Sequence, residues 1–168
     1  VDRPLNPYAL LVGQVNLAAA FNQTGNLAQA RELLNEILKS AKAQGHNRLQ
    51  ANALELMSEV ALKKGEDKKA TQWLEEAVQL FGEAPVQDRL FVEIWRTFLA
   101  CRRDRNARAL LQLKELALTQ NHYESAREID LLALRIHFQT EHFHYLIAGT
   151  PYPSFRSRVI AELACDPP

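Results

Sequence analysis

This chain of 168 residues has few residues that break a helix, and charge of neither sign predominates. Glycine occurs six times, proline seven times and cysteine twice, while Lys plus Arg and Asp plus Glu both total 20. A globally basic nucleic-acid-binding protein would carry an excess of positive charge, so the balance argues against that class. The two cysteines have no framework spacing, so we expect a reduced, cytoplasmic setting.

Long apolar runs and catalytic motifs are also missing. No apolar stretch approaches the roughly 20 residues that a membrane-spanning helix needs, and no signal peptide is visible. No nucleophile–base or paired-carboxylate constellation can be placed on one helix face, so we expect no enzyme and no catalytic residue. Prolines border the sequence, in VDRP at its start and CDPP at its end. We therefore expect a module of a larger multidomain chain.

Most of the sequence has the spacing of apolar residues that is typical of amphipathic helices. Apolar residues recur at three- and four-residue steps, and short polar or glycine-containing segments separate these stretches. Because the connections are short, neighbouring helices must pack antiparallel. The pattern predicts an all-α fold of seven helices, followed by a short C-terminal helix over about 154–164. The seven predicted ranges are 7–23, 27–43, 47–63, 67–82, 86–102, 106–119 and 123–139.

Two segments of the chain repeat each other at a distance of 40 residues. LAAAFNQTGNLAQARELLNEIL covers 17–38, and MSEVALKKGEDKKATQWLEEAV covers 57–78. The aligned pairs are Gly25 with Gly65, Ala30 with Ala70, Leu34 with Leu74, and Ile37 with Ala77. Small residues let helices approach closely, and glycine permits a tight turn with positive φ. We expect each segment to form a hairpin of helices that stacks on the next.

The order of residue types in the repeat resembles the tetratricopeptide pattern. A large–small pair (Leu17 and Ala18) is followed by an aromatic (Phe21), a glycine (Gly25) and an alanine (Ala30). The step of 40 residues exceeds the usual ~34, so the repeat is similar to elongated variants in bacterial regulatory and sensor modules. The resemblance implies a right-handed superhelix of antiparallel hairpins.

The later part of the chain follows the repeat less closely. Ala109 follows Ala70 by 39 residues, and Asp104 takes the place of the glycine. The spacing returns in NHYESA (121–126), while Asp130 falls where an apolar residue is expected. We expect the repeat domain to cover 1–140, and 141–168 to be a capping segment or a connector to a downstream domain. At the start of the second helix, Asn26 and Gln29 have the spacing of a capping pair.

The resemblance implies a function in binding rather than in catalysis. Proteins with stacked helical hairpins hold a peptide or a partner helix on a concave surface lined by the first helix of each hairpin. We expect a regulatory scaffold that binds another protein, or alternatively the ligand- or peptide-sensing arm of a bacterial transcription or signalling regulator. For each groove residue, a place in the core or on a solvated face is the alternative. The residues predicted to face the groove are Asn22, Asn52, Glu55, Glu59, Lys63, Phe91, Phe98, Gln112 and Glu115.

One basic cluster is a second candidate site. Arginine makes bidentate hydrogen bonds with carboxylates and phosphates, so the cluster could hold an acidic partner or an anion. The alternative is that these cations offset the partial negative charge at a helix end. Direct binding of nucleic acid is not expected, since neither surplus charge nor interleaved aromatics are present. The cluster consists of Arg96, Arg102, Arg103, Arg105 and Arg108.

The segment HFQTEHFH is rich in histidine. His137 and Glu141 could share one face of a helix, but His142 and His144 would share a side only in an extended segment. This mixed geometry, without a cysteine pair or an HExxH motif, argues against a zinc site. We predict no metal and no cofactor.

Overall fold

The structure is a computed structural model that describes residues 6–104 and 106–137. These residues form seven α-helices and one short 3-10 helix, and no β-strand occurs among them. The helices are α1 (Pro7–Gln23), α2 (Leu27–Ala43), α3 (Asn47–Lys63), α4 (Asp67–Phe81), α5 (Leu90–Asp104), α6 (Arg108–Thr119) and α7 (Tyr123–His137). The predicted all-α fold is confirmed. The 3-10 helix Val86–Arg89 precedes α5, so that helix begins later than predicted.

The chain divides into two compact units, Val1–Arg96 and Thr97–Pro168. The first unit contains α1 to α4 and the first part of α5, and the second contains the rest of α5, α6 and α7. The predicted segment 141–168, with its short C-terminal helix, lies outside the described residues.

In the first unit, α1 packs on α2, α2 on α3, and α3 on α4. The helix α1 also packs directly on α3. In a closed up-and-down bundle the last helix would return to the first, yet none of the extensive contacts among the described helices joins α1 to α4. The first helices of successive hairpins therefore lie beside each other, as in a stack of hairpins.

A common turn links the first four helices. Gly25, Gly45 and Gly65 all have positive φ, at 80°, 69° and 72°. The amide that follows each glycine donates to the carbonyl five residues before it, as in the 2.8 Å bond from Asn26 to Phe21. This bond satisfies a carbonyl that the helix end would leave unpaired. Asn26 is the N-cap residue of α2, as predicted, but its side chain makes no capping hydrogen bond and donates to the Thr24 hydroxyl instead.

The repeat continues in the second unit, in a register that differs by one residue from the predicted one. Ala109 is exposed, whereas Leu110 is fully buried. Leu110 follows Ala70 by 40 residues, and all three members of the series Ala30, Ala70 and Leu110 are fully buried. The same holds for Ile37, Ala77 and Ala117. This repeat position requires a buried apolar side chain, so a leucine takes the place of the alanine.

The helices α6 and α7 pack on each other in the second unit. Asn121 is the second residue of their turn and has a φ of 59°, so it takes the conformation that glycine has in the earlier turns. Ala126 is buried at the expected place, which confirms the repeat spacing in 121–126. Asp130, one turn later, accepts a 2.7 Å hydrogen bond from Lys114 on α6. An ion pair therefore takes the place of an apolar contact.

Candidate interaction surface

The middle of α3 reaches solvent along one narrow line only. Every residue from Ala51 to Leu62 is buried except Asn52 and Glu59, which are half-buried. Lys63, at the end of the helix, is half-buried as well. Because these three residues are seven and four positions apart, they share one face of the helix. We call Asn52, Glu59 and Lys63 the α3 stripe, and all three were predicted to face a groove.

Glu59 holds neighbouring first helices together. Its Oε2 accepts a 2.7 Å hydrogen bond from Nδ2 of Asn22 on α1, and its Oε1 accepts a 3.1 Å bond from Nε1 of Trp95 on α5. Lys63 adds a second link to α1, since its Nζ donates to the backbone carbonyl of Asn22 at 2.9 Å. Hydrogen bonds to charged groups stabilise by about 1.5–3 kcal/mol each. The carboxylate thus fixes α1, α3 and α5 to one another within the first unit.

Two of the predicted groove residues are part of the interior. Asn22 is only 1% exposed and Glu55 only 7% exposed. The amide nitrogen of Asn22 serves Glu59, while its Oδ1 is buried without a hydrogen-bond partner among the described atoms. Both side chains therefore belong to the interior and present little surface to a partner.

Two aromatic residues of α5, Phe91 and Trp95, lie one helical turn apart in the first unit. Phe91 is 57% exposed, the most exposed of the large hydrophobic side chains in the described residues. It precedes the buried Trp95 by four residues, so both lie on the same side of the helix. The role of Trp95 was not predicted, although a buried indole N–H usually has an acceptor.

The remaining groove residues belong to the second unit. Phe98 is 1% exposed and forms part of its core, so its ring offers no surface to a partner. Gln112 and Glu115 are exposed on α6. Their exposure agrees with a binding role and equally with a solvated helix face.

The arginines of the basic cluster do not share one environment. Arg96 lies in the first unit and donates to Glu93 at 3.0 Å. Arg103 pairs with Asp104 at 3.1 Å, and both side chains are exposed. Arg102 and Arg103 are in the last turn of α5, where cations are favoured by the helix dipole. Arg108 is exposed in the first turn of α6, and Arg105 lies outside the described residues.

The ring of Phe98 is covered by two guanidinium groups. The Cζ of Arg102 lies 5.7 Å from the ring centroid, and the Cζ of Arg135, on α7, lies 5.3 Å from it. Both distances are within the range of a cation–π interaction. At least one arginine of the cluster therefore has a structural role in the second unit. Arg135 was missed in the sequence, because only the fold brings α7 to this ring.

Neither a metal site nor a membrane span is found in the part of the chain that the structure describes. No group of three or more His, Cys, Asp or Glu side chains there could hold an ion. None of its helices combines the length and the apolar character needed to cross a bilayer. Glu141, His142 and His144 lie outside the described residues.

The family model of the tetratricopeptide repeat matches residues 10–83. The match covers most of α1 and all of α2 to α4, the four helices whose turns and buried small residues follow the 40-residue step. The chain thus contains tetratricopeptide-like repeats in an all-α repeat fold, and the predicted resemblance is confirmed. Such repeats generally mediate protein–protein interaction and typically belong to non-catalytic scaffolds. No curated protein and no solved structure gives a significant match to the chain.

Proposed function

We propose that this protein is a non-catalytic interaction module that binds a peptide or a partner helix along the α3 stripe. The observation that carries this proposal is the double hydrogen bond of Glu59 to Asn22 and Trp95. It fixes the first helices in their places before any partner arrives. A preorganised surface loses little conformational entropy on binding, which favours affinity.

The chemistry of the surface favours an amphipathic partner. Phe91 offers an exposed ring in the same unit, and aromatic side chains are frequent anchors of interfaces. Glu59 and Lys63 add one carboxylate and one ammonium group, each already held by α1. A partner segment with an apolar residue for the ring and polar residues for the stripe would match this arrangement. The polar stripe gives orientation and specificity more than affinity.

A helical peptide library selected on the purified protein tests the proposal. The affinity of the selected peptides is then measured for the variants Phe91→Ser and Asn52→Arg. We expect each variant to weaken binding at least about tenfold, equivalent to about 1.4 kcal/mol. Tyr123→Ser is the matched control, because Tyr123 is also an exposed aromatic (56%) but lies on α7.

The outcomes of this experiment are distinct. Loss of binding in Phe91→Ser and Asn52→Arg, with full binding in Tyr123→Ser, supports the surface. Equal binding by all four proteins would show that the peptides contact another part of the chain. Circular dichroism of each variant verifies that the helices are intact.

The alternative of a sensing arm in a bacterial regulator rests on the elongated repeat alone. In that case a ligand or peptide on the same surface would shift the arrangement of the hairpins. The proposals of an acidic partner for the arginine cluster and of groove contacts by Gln112 and Glu115 rest on exposure and charge.

A further inference from the structure

The helix α3 has two buried faces, whereas its counterpart α1 has one. On α3, the first face consists of Ala51, Glu55, Ser58 and Leu62, all buried. Forty residues earlier, α1 has Leu11, Val15, Ala18 and Asn22, which are also all buried. On this face the two helices agree at every position. On this face, burial in α1 therefore matches burial in α3 at the positions that are 40 residues apart.

On the second face the two helices disagree at every position. The buried residues of α3 are Leu49, Ala53, Leu56, Met57 and Val60, which join a core cluster with residues of α1 and α2. The equivalent residues of α1 are Ala9, Gly13, Asn16, Leu17 and Ala20, and all five are exposed. Leu17 is 48% exposed, while its counterpart Met57 is 4% exposed. We call these five residues of α1 the open face.

The composition of the open face suits burial. None of its five residues is charged, and the whole of α1 contains no charged residue. Three of the five are glycine or alanine, which allow another helix to approach closely. The terminal unit of a repeat array normally has a polar outer face where it meets water. Here the exposed surface has the character of an internal contact.

We propose that the open face of α1 is the docking surface for a further helical hairpin of the same repeat type. The occupant follows from α3, where the equivalent face is covered by the α1–α2 hairpin. An incoming hairpin would pack its own first and second helices on α1 as α1 and α2 pack on α3. This surface is separate from the α3 stripe, and the inference does not depend on the proposed function.

The proposal can be tested with a lengthened chain that carries a further hairpin at the 40-residue spacing of the repeat. A second copy of residues 6–45 is inserted directly before Asn6, so that each inserted residue lies 40 positions before its counterpart. We expect the thermal midpoint to rise by at least about 4 °C, since burial of the open face adds stability. Introducing Leu17→Asp into the original α1 is expected to abolish this rise. The same substitution in the unmodified chain is expected to change the midpoint little, because Leu17 is exposed there.

Cysteine labelling locates the contact directly. Leu17→Cys is expected to react readily with a thiol reagent in the unmodified chain and at least about tenfold more slowly in the lengthened chain. Glu36→Cys on the exposed face of α2 is the matched control and is expected to keep its reactivity in both chains. Failure of the lengthened chain to fold, an unchanged midpoint or unchanged labelling of residue 17 would overturn the proposal.

Sedimentation of the unmodified protein tests whether a second copy of the chain, and not a further hairpin, occupies the open face. If the protein forms a dimer that Leu17→Asp dissociates, the open face binds a second copy of the chain, and the proposed hairpin is the wrong occupant. A monomer at the same concentrations agrees with the proposal.

Discussion

The amide of Asn22 donates to the carboxylate of Glu59 across 2.7 Å, joining α1 to α3 between residues 37 positions apart. Both residues were expected to meet a partner in a groove. Their hydrogen bond connects neighbouring hairpins, and Glu59 extends the connection to Trp95. Polar residues of the first helices thus hold neighbouring hairpins together. One of them, Glu59, also belongs to the α3 stripe.

Glu59→Ala is expected to destabilise the protein by about 1–3 kcal/mol, because it leaves the buried amide of Asn22 without its acceptor. Urea unfolding followed by circular dichroism measures the change. Glu36→Ala, at an exposed site of α2, is the control and is expected to stay within about 0.5 kcal/mol of the parent. In a double-mutant cycle with Asn22→Ala, we expect a coupling of at least about 0.5 kcal/mol. Additive effects would contradict a direct bond.

The same substitution at two glycines is expected to have opposite effects. Gly65→Ala forces a side chain into the left-handed region, at a φ of 72°, which costs about 1–2 kcal/mol. Gly13→Ala lies within α1, where no atom beyond its chain neighbours and the backbone of its own helix is within 4 Å of the added Cβ, and it is expected to stabilise by about 0.5–1 kcal/mol. Denaturant midpoints of the two variants measure the difference. A stabilising Gly65→Ala would contradict the positive φ of Gly65 in its turn.

The ion pair of Lys114 and Asp130 is expected to be replaceable by two leucines. Lys114 lies 80 positions after Leu34 and 40 after Leu74, which are both fully buried. Asp130→Leu alone removes the partner of a partly buried ammonium group and is expected to cost about 1 kcal/mol. Lys114→Leu together with Asp130→Leu is expected to regain at least the parent stability. Thermal unfolding of the single and double variants checks this order. A double variant less stable than Asp130→Leu would disprove it.

The pKa of Glu66 is expected to lie below the ordinary value of a glutamate carboxyl group. The hydrogen bond from Lys69, at 2.8 Å, lowers the pKa of its carboxyl group, and the charges of Lys69, Arg31 and Lys64 add to this effect. Since the folded pKa lies below the unfolded one, the stabilising contribution is present above the unfolded pKa and is lost as the pH falls through the folded pKa. An NMR titration measures the shift. Lys69→Gln is expected to raise the pKa of Glu66, and an unchanged midpoint would rule out the pair as its cause.

The helices, their turns and the repeat could be predicted from the sequence because they depend on local spacing. An amphipathic pattern requires only that apolar residues return every three or four positions, and a glycine such as Gly25 marks a turn that needs positive φ. Asn121 could be recognised by the same reasoning, because asparagine tolerates the left-handed region better than most residues. The one-residue error at Ala109 arose where a leucine, Leu110, replaced the alanine that marked the register.

The tertiary structure alone decided which polar residues of the first helices are buried and which remain accessible. Glu55 and Glu59 both looked suited to a groove, yet one lies in the interior and the other joins Asn22 to Trp95. Periodicity assigns a residue to a face of its own helix, but burial depends on which other helices cover that face. For the same reason Leu17 and Met57, equivalent in sequence, differ in exposure: a preceding hairpin covers α3, and none of the described residues covers the open face of α1.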